Sequence, residues 1–291
     1  MPAASAASPP SGASLAGLFQ SLTAQFSAVT DTPALEAGLL VEHVTGLHRS
    51  VRYARPETRL PEADLQRLTA LSQRRLAGEP MAYILGSQGF RNLILQVSPA
   101  VLIPRPETEL LVERCLLHLS RAATPARAVD LGTGSGAIAL ALADEAPAAR
   151  VCGVDRSPEA MAVARGNGEH LGLNVEWLLG DWFAPLGGRR FAVIASNPPY
   201  VAERDPHLAM GDVRFEPQAA LKAGADGMRD LRTIIRRAPE YLEPGGWLVV
   251  EHGFDQEGPV SQCFLATGFR DVATFRDIAG QPRVTEGRWR R

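Results

Sequence analysis

Lysine is nearly missing from this sequence: Lys222 is the only one, so the basic side chains are almost all arginine. Arginine suits phosphate and carboxylate recognition, but spread over a whole chain it reads more simply as compositional bias. A surplus of one charge is missing too. With 30 Lys+Arg against 32 Asp+Glu the formal net charge is -2, so no global basic field advertises nucleic acid. Cysteine is scarce. Cys115, Cys152 and Cys263 lie in apolar surroundings without CxxC or Cys/His spacing. That argues against a disulfide framework or a metal site and for buried free thiols in a reducing compartment. No apolar run is long enough to span a bilayer. The first residues, MPAASAASPPSGAS, have no basic n-region and no continuous apolar core. They do not read as a secretory signal, and a disordered tail over residues 1–14 is expected. A cytoplasmic protein with no membrane partner follows as the expectation.

What is present is an ordinary globular composition, 45% hydrophobic over 291 residues, enough for two domains or one large one. From Leu15 the apolar residues recur at helical steps, with Leu15, Leu18, Phe19, Leu22 and Phe26 on one face. DTPALEAGLLVEHV restarts a helix at Asp31 or Thr32, with Pro33 in its first turn. PEADLQRLTALSQRRLAG gives another, with Leu65, Leu68, Leu71 and Leu76 aligned and Gly78 as its stop. These stripes read as the core of a small helical domain ending near Leu85. Between Ser14 and Leu85 seven Arg face seven Asp or Glu, so that domain offers no basic surface.

Residues 86–104 change character, with strand-forming segments around Asn92 and a Ser98-Pro99 turn, which predicts a hairpin or extended linker. PRPETELLVERCLLHLS opens a helix with Glu107 and Glu109 in its first turn, where acids complement the helix dipole. Beyond Pro125 strands and helices alternate: strands at 128–131, 151–154, 175–179 and 191–195, and helices at 137–145, 158–171 (capped by Ser157), 230–242 and 256–267. The strand GGWLVVE and two terminal strands around DIAGQP complete the pattern. This alternation predicts a mostly parallel sheet covered on both faces, with one terminal strand antiparallel. The stretch from Ala202 to Met228 is long and rich in turn formers, as a substrate lid beside an active site would be, or a mere connector.

VDLGTGSGAIALAL sets a glycine-rich turn between a strand and a helix. Gly132, Gly134 and Gly136, with Thr133 and Ser135 between them, permit a tight turn and close approach to a ligand. Asp155 ends the next strand, where a carboxylate can accept both hydroxyls of a ribose. With Ala137 in the third slot the run also satisfies a dinucleotide pattern. The glycines alone therefore leave NAD and S-adenosylmethionine open. Asp181-Trp182 follows the third strand, where a carboxylate and a flat ring could hold an adenine, or where Trp182 could be a core aromatic.

SNPPY, residues 196–200, ends the fourth strand with two residues that cannot donate to a ladder. An amide or exocyclic amine nitrogen is a poor nucleophile because its lone pair is delocalised. Two fixed acceptors, the Asn197 side chain and the Pro198 carbonyl, can take its two N–H bonds, pyramidalise it and aim its lone pair. Tyr200 can stack on a planar substrate group. A sulfonium methyl is the fitting electrophile, which favours S-adenosylmethionine. Alone, NPPY would be a turn; beside GTGSG the chemical reading is preferred.

GTGSG, Asp155 and NPPY together resemble the class I S-adenosylmethionine-dependent N-methyltransferases, a group acting on DNA adenine, rRNA guanine and protein glutamine. RRLAGEPMAYILG, VLIPRPETELLVE, YLEPGGWLVVEHG and DIAGQPRVTEGR, with the helical domain, resemble the peptide chain release factor N5-glutamine methyltransferases over roughly residues 15–288. The sister family acting on a ribosomal-protein glutamine shares NPPY but is less similar at PRPETE. The resemblance implies an α/β fold. In it a helical substrate-binding domain (15–85) and a β-hairpin linker (86–104) precede a seven-stranded, mostly parallel, Rossmann-like methyltransferase domain (105–291). It implies that Gly132, Thr133, Gly134, Ser135, Gly136, Asp155, Trp182 and Asn197 contact S-adenosylmethionine. Asn197, Pro198, Pro199 and Tyr200 would hold the glutamine of a release factor's Gly-Gly-Gln motif, with Asn197, Pro198 and Tyr200 catalytic. In PRPETE, Arg105 would bridge linker and catalytic domain and Thr108 or Glu109 approach the methionine end of the cofactor, a well-capped helix start being the alternative. A monomer with no nucleic-acid partner is expected. The competing readings are a nucleic-acid N-methyltransferase and a catalytically idle cofactor-binding scaffold.

Overall fold

The computed structural model describes residues 14–290; the expected tail, Ser14 apart, lies outside them. The chain forms two compact units. The first is helical: α1 (Leu15–Phe26), α2 (Pro33–Thr45), α3 (Val51–Ala54), α4 (Glu62–Leu76) and α5 (Met81–Leu85). The Ser14 hydroxyl caps α1 by accepting from the Gly17 N–H at 3.3 Å. Leu15, Leu22, Phe26, Leu40, Val41 and Leu68 form its core. The predicted apolar stripes thus meet one another, since i, i+3 and i+4 positions share a helix face. A buried ion pair, Arg75 and Glu36, lies inside. Arg75 is 2% exposed, and its guanidinium donates to Glu36 at 2.6 and 3.2 Å, to the Val29 and Glu79 carbonyls, and to Asp212 at 2.9 Å. Asp212 belongs to Ala209–Phe215, a short stretch from the later loop that clusters with this unit. α3 and α5 were not foreseen; both are too short to show a period.

The second unit begins with a hairpin, β1 (Ser87–Phe90) and β2 (Leu93–Gln96), turning at Arg91-Asn92. Then come α6 (Thr108–Leu119), β3 (Arg127–Leu131), α7 (Ala137–Glu145), β4 (Arg150–Asp155), α8 (Pro158–Leu171), β5 (Glu176–Leu179), β6 (Phe191–Ser196), α9 (Arg229–Arg237), β7 (Leu242–Glu251), α10 (Glu257–Thr267), β8 (Arg270–Arg276) and β9 (Pro282–Arg288). Seven strands form one sheet in the order β5-β4-β3-β6-β7-β9-β8. The first five run parallel, and β9 runs antiparallel to both of its neighbours, as the sequence pattern predicts.

Both faces are covered. Val193, Ala195 and Val249 pack with α6 and α7, while Ile194, Leu248 and Val250 pack with α9 and α10. This is the period of two expected of strands buried on both sides. Two expectations need correction. The helix predicted over 230–242 ends at Arg237, and Ala238–Glu240 form a single 3-10 turn before Leu242 opens β7. Pro239 has no N–H to continue the ladder. Of the three thiols Cys115 and Cys152 are buried, but Cys263 is only half-buried.

Candidate active site

The sheet order contains a reversal. β3 has β4 on one side and β6 on the other, so successive crossovers diverge from β3 and leave a crevice at the strands' carboxyl ends. Register does the rest. Leu131 pairs with Val154 and with Ser196. The next residues, Gly132, Asp155 and Asn197, therefore emerge side by side although they are far apart in sequence. They line a cleft of about 190 Å³ together with Thr133, Gly134, Ser135, Thr108, Asp181, Trp182 and Pro199.

The glycine loop uses its own amides. Gly132 and Thr133 donate to the Val154 carbonyl at 2.8 and 2.9 Å, and Gly136 to the Thr133 carbonyl at 2.8 Å. Gly134 donates to Asp155 Oδ2 at 2.9 Å. Four of the loop's five N–H groups are thus taken up inside the protein, leaving little to cradle a pyrophosphate. Gly132 and Gly136 need to be glycine. Both have positive φ, +75° and +86°. A Cβ at Gly132 would sit 3.2 Å from the Trp182 ring, and one at Gly136 3.0 Å from Leu140 and Trp177. Trp182 itself has φ +46°, an uncommon conformation for a bulky residue and typical of sites under functional constraint.

Asp155 accepts Gly134 N–H on one oxygen and Ser157 N–H, at 2.9 Å, on the other. Each oxygen keeps a lone pair for a ligand hydroxyl. Among the described residues no side-chain cation pairs with Asp155 or with Asp181. Beneath the loop Asp130 is fully buried, with Oδ2 accepting the Thr133 hydroxyl at 2.6 Å. Burial pushes its pKa up to about 7, against the pull of Thr133 and the Ala139 amide.

At the other wall Asn197 Nδ2 donates to Thr108 Oγ1 at 3.1 Å, and the Thr108 hydroxyl donates to Glu251 Oε2 at 2.6 Å. The Tyr200 hydroxyl donates to Glu251 Oε1 at 3.3 Å. Glu251 ends β7; because Ser196 pairs with Val250, it stands level with Asn197 on the adjacent strand. It is 1% exposed, and burial pushes its pKa up to about 7, while Thr108 and Tyr200 pull it down. Burial, and then Glu251, push the Tyr200 phenol well above its ordinary value.

Asn197, Pro199, Asp155, Trp182 and Gly132 through Ser135 come together at the cleft; Pro198, Tyr200 and Gly136 are not in its lining. Thr108 is at the cleft, whereas Glu109 accepts the Arg91 N–H at 3.1 Å and so holds the hairpin turn. Arg105 pairs with Glu216, whose other oxygen accepts the Ile103 N–H at 3.1 Å. Sequence reasoning missed Glu251, Gln256 and Gly227. Gln256 Nε2 donates to the Tyr200 carbonyl at 3.0 Å, and a Cβ at Gly227 would lie 2.2 Å from that carbonyl oxygen. No local motif marks these three, because they reach NPPY from other elements.

Comparison with known proteins gives the family. The PrmC N-terminal domain family matches residues 18–86, and the methyltransferase small domain family matches residues 107–224. The release factor glutamine methyltransferase of Escherichia coli (strain K12) is 48% identical over 261 residues, covering 89% of this chain and 94% of that one. This chain belongs to the release factor glutamine methyltransferases. The family's Pseudomonas aeruginosa member is 49% identical over 266 residues, covering 90% of this chain and 96% of that one. Among solved structures, the T. thermophilus 16S rRNA N2 G1207 methyltransferase in complex with AdoMet and guanosine has TM-score 0.51 and 21% identity, over 70% of this chain and 50% of that one. That likeness shows the fold alone.

The cleft suits S-adenosylmethionine. Asp155 presents free carboxylate lone pairs to the cleft and the Trp182 ring gives it a flat wall. The unpaired carboxylates Asp155 and Asp181 give the cleft an acidic side, favourable to a ligand carrying a sulfonium and an ammonium.

Proposed function

We propose that this chain transfers a methyl group from S-adenosylmethionine to the side-chain amide nitrogen of the glutamine in the Gly-Gly-Gln motif of peptide chain release factors. The observation that carries this reading is the Asn197 carboxamide. It stands in the cleft wall beside the glycine loop with Nδ2 held by Thr108, and its Oδ1 accepts from no other described residue.

When bound, S-adenosylmethionine supplies an electrophilic methyl carbon on a sulfonium sulfur. Gly132 through Ser135, Asp155, Trp182 and Asn197, which line the cleft, would hold it; Asn197 and Pro199 in the lining, with Pro198 and Tyr200 beside them, would hold the glutamine. Asn197 Oδ1 and the Pro198 carbonyl each accept one N–H of the glutamine amide, which weakens its conjugation and directs its lone pair. No described residue donates to the Pro198 carbonyl, so that acceptor is available. These two oxygens would hold the nitrogen with its lone pair directed at the electrophilic methyl carbon that the bound cofactor would supply, its sulfonium sulfur being the leaving group. They also stabilise the positive charge that develops on nitrogen. The surplus N–H proton passes from the glutamine to water, so this chain needs no strong base.

We assign release-factor docking to the helical domain (15–85), the hairpin (86–104) to a linker, and the chemistry to residues 105–291. We infer a monomer acting in the cytoplasm, with protein rather than nucleic acid as its partner. The balanced charge supports this, and no helix of the described residues is long and apolar enough to cross a membrane.

The test is mass spectrometry of a release factor after incubation with enzyme and S-adenosylmethionine. One added methyl on the Gly-Gly-Gln glutamine is expected. Methyl transfer to nucleic acid alone overturns the reading, and transfer to nothing points to a cofactor-binding scaffold. Asn197→Ala should lower kcat by about 100-fold, the scale on which a single preorganised transition-state contact acts, and far more than it lowers cofactor affinity.

A further inference from the structure

We infer that Glu251 and Thr108 are positioning residues that set which end of the Asn197 carboxamide faces the cleft. The inference rests on the glutamine-methylating reading above.

An amide side chain is nearly symmetric in shape but opposite in function at its two ends. Turned one way, Asn197 offers the substrate nitrogen an acceptor; turned the other, it offers a second donor to an amide that already has two N–H bonds. Packing alone discriminates poorly between an oxygen and an NH2 group. Something polar has to choose.

The Thr108 hydroxyl has one proton and two lone pairs. Its oxygen lies 2.6 Å from Glu251 Oε2, the short separation of an O–H bound to a carboxylate. In its ionised form, which prevails above about pH 7, the carboxylate can only accept, and there the threonine proton is committed to Glu251. The threonine oxygen is then left only to accept, and Asn197 Nδ2 donates to it at 3.1 Å. Asn197 Oδ1 must therefore point away from Thr108. The direction of the amide is thus dictated two hydrogen bonds away by a group outside the cleft lining. Tyr200 reinforces this by donating to the other Glu251 oxygen at 3.3 Å, so both carboxylate oxygens act as acceptors. A carboxylate that is 1% exposed costs stability unless its acceptors are used, which is consistent with retention for a purpose other than packing.

Glu251→Gln discriminates this role from a structural one. It keeps the shape and removes a buried charge, yet a glutamine can present either an acceptor or a donor to Thr108. When it donates, the Thr108 proton is free to go to Asn197 Oδ1, and the amide can turn the wrong way. We expect Glu251→Gln to lower kcat for release-factor methylation by about 10-fold and Thr108→Val by about 10-fold to 100-fold, the range in which misplaced catalytic groups act. Cofactor Kd in Glu251→Gln should stay within about twofold, because Glu251 does not line the cleft. Thr108→Ser should restore activity. In the Thr108→Val background Glu251→Gln should lower kcat by much less than it does alone, since its route to Asn197 has been removed and only its contact with Tyr200 remains.

Wild-type activity in Glu251→Gln overturns the inference, as do independent, multiplicative effects in the double variant. If Thr108→Val does not fold, the kcat of Glu251→Gln and rescue by Thr108→Ser decide alone. The outcomes are distinguishable: a wild-type enzyme that leaves release factors unmodified refutes the function, whereas an active enzyme sensitive at Asn197 and insensitive at Glu251 refutes only the positioning role.

Discussion

Replacing Asp130 with Asn should remove a pH-dependent cost that this fold carries beneath its cofactor loop. Asp130 is fully buried near the end of β3, and burial raises its pKa from 3.8 to about 7. In an unfolded chain the same carboxyl titrates near its ordinary value of about 3.9. The sign follows directly. The folded protein holds this proton more tightly than the unfolded chain does. The contribution to stability is complete below about pH 4 and is lost as pH rises through about 7. About three pKa units at 1.36 kcal/mol each give a total near 4 kcal/mol, of which roughly 2–3 kcal/mol falls between pH 5 and pH 8. Glu251, raised from 4.5 to about 7, contributes with the same sign, but it is present in both proteins and cancels in their difference. The assay is urea unfolding of both proteins at pH 5, 6, 7 and 8, followed by tryptophan fluorescence. All four tryptophans, Trp177, Trp182, Trp247 and Trp289, lie in the catalytic unit, so the signal reports that unit. Whatever offset the variant shows at pH 5, its stability relative to wild type should improve by roughly 2–3 kcal/mol by pH 8. A difference that does not change with pH refutes the assignment of a strongly raised pKa to Asp130.

Two further outcomes follow from single contacts. Arg75→Ala should destabilise the helical unit by about 3–5 kcal/mol, because it leaves Glu36 buried without its partner; hydrogen exchange over residues 15–85 reads this directly, and unchanged protection there would count against it. Asp155→Ala should weaken S-adenosylmethionine binding by about 10-fold to 100-fold, the value of one or two hydrogen bonds to a charged acceptor. Calorimetry of the apo enzyme measures it, and undiminished affinity would remove Asp155 from the ribose site.

Much of the fold was legible because its elements carry their own period. The β3, β4 and β6 runs are apolar at nearly every position, as strands covered on both faces must be, and GTGSG and Ser157 mark the helix starts that follow. α9 was read too long because its apolar positions continue past Arg237, and only the backbone consequence of Pro239 stops them. The glycine-loop wall of the cleft was legible for the same local reason: a strand, a turn and a helix in sequence place Gly132 and Asp155 without further information. What the loop binds was less so. Whether its amides are free or already bonded depends on the Val154 carbonyl and the Asp155 carboxylate, which belong to another strand.

The substrate side was half-legible, and the missing half has one physical cause. NPPY announces an amide and a rigid carbonyl, but a side chain that must present one particular end needs a polar reference, and that reference cannot lie within the motif. Asn197 cannot orient itself, two prolines supply no donors, and Tyr200 faces Glu251 rather than Asn197. The reference comes from β7, through the pairing of Ser196 with Val250, and from the first residue of α6, which sets Thr108 between the two. Tertiary structure thus supplies what the motif lacks. On the reading proposed above, it would also give a role to a residue of the PRPETE segment: a helix start would orient the Asn197 amide by spending its hydroxyl proton on a buried carboxylate, with no need to touch the substrate.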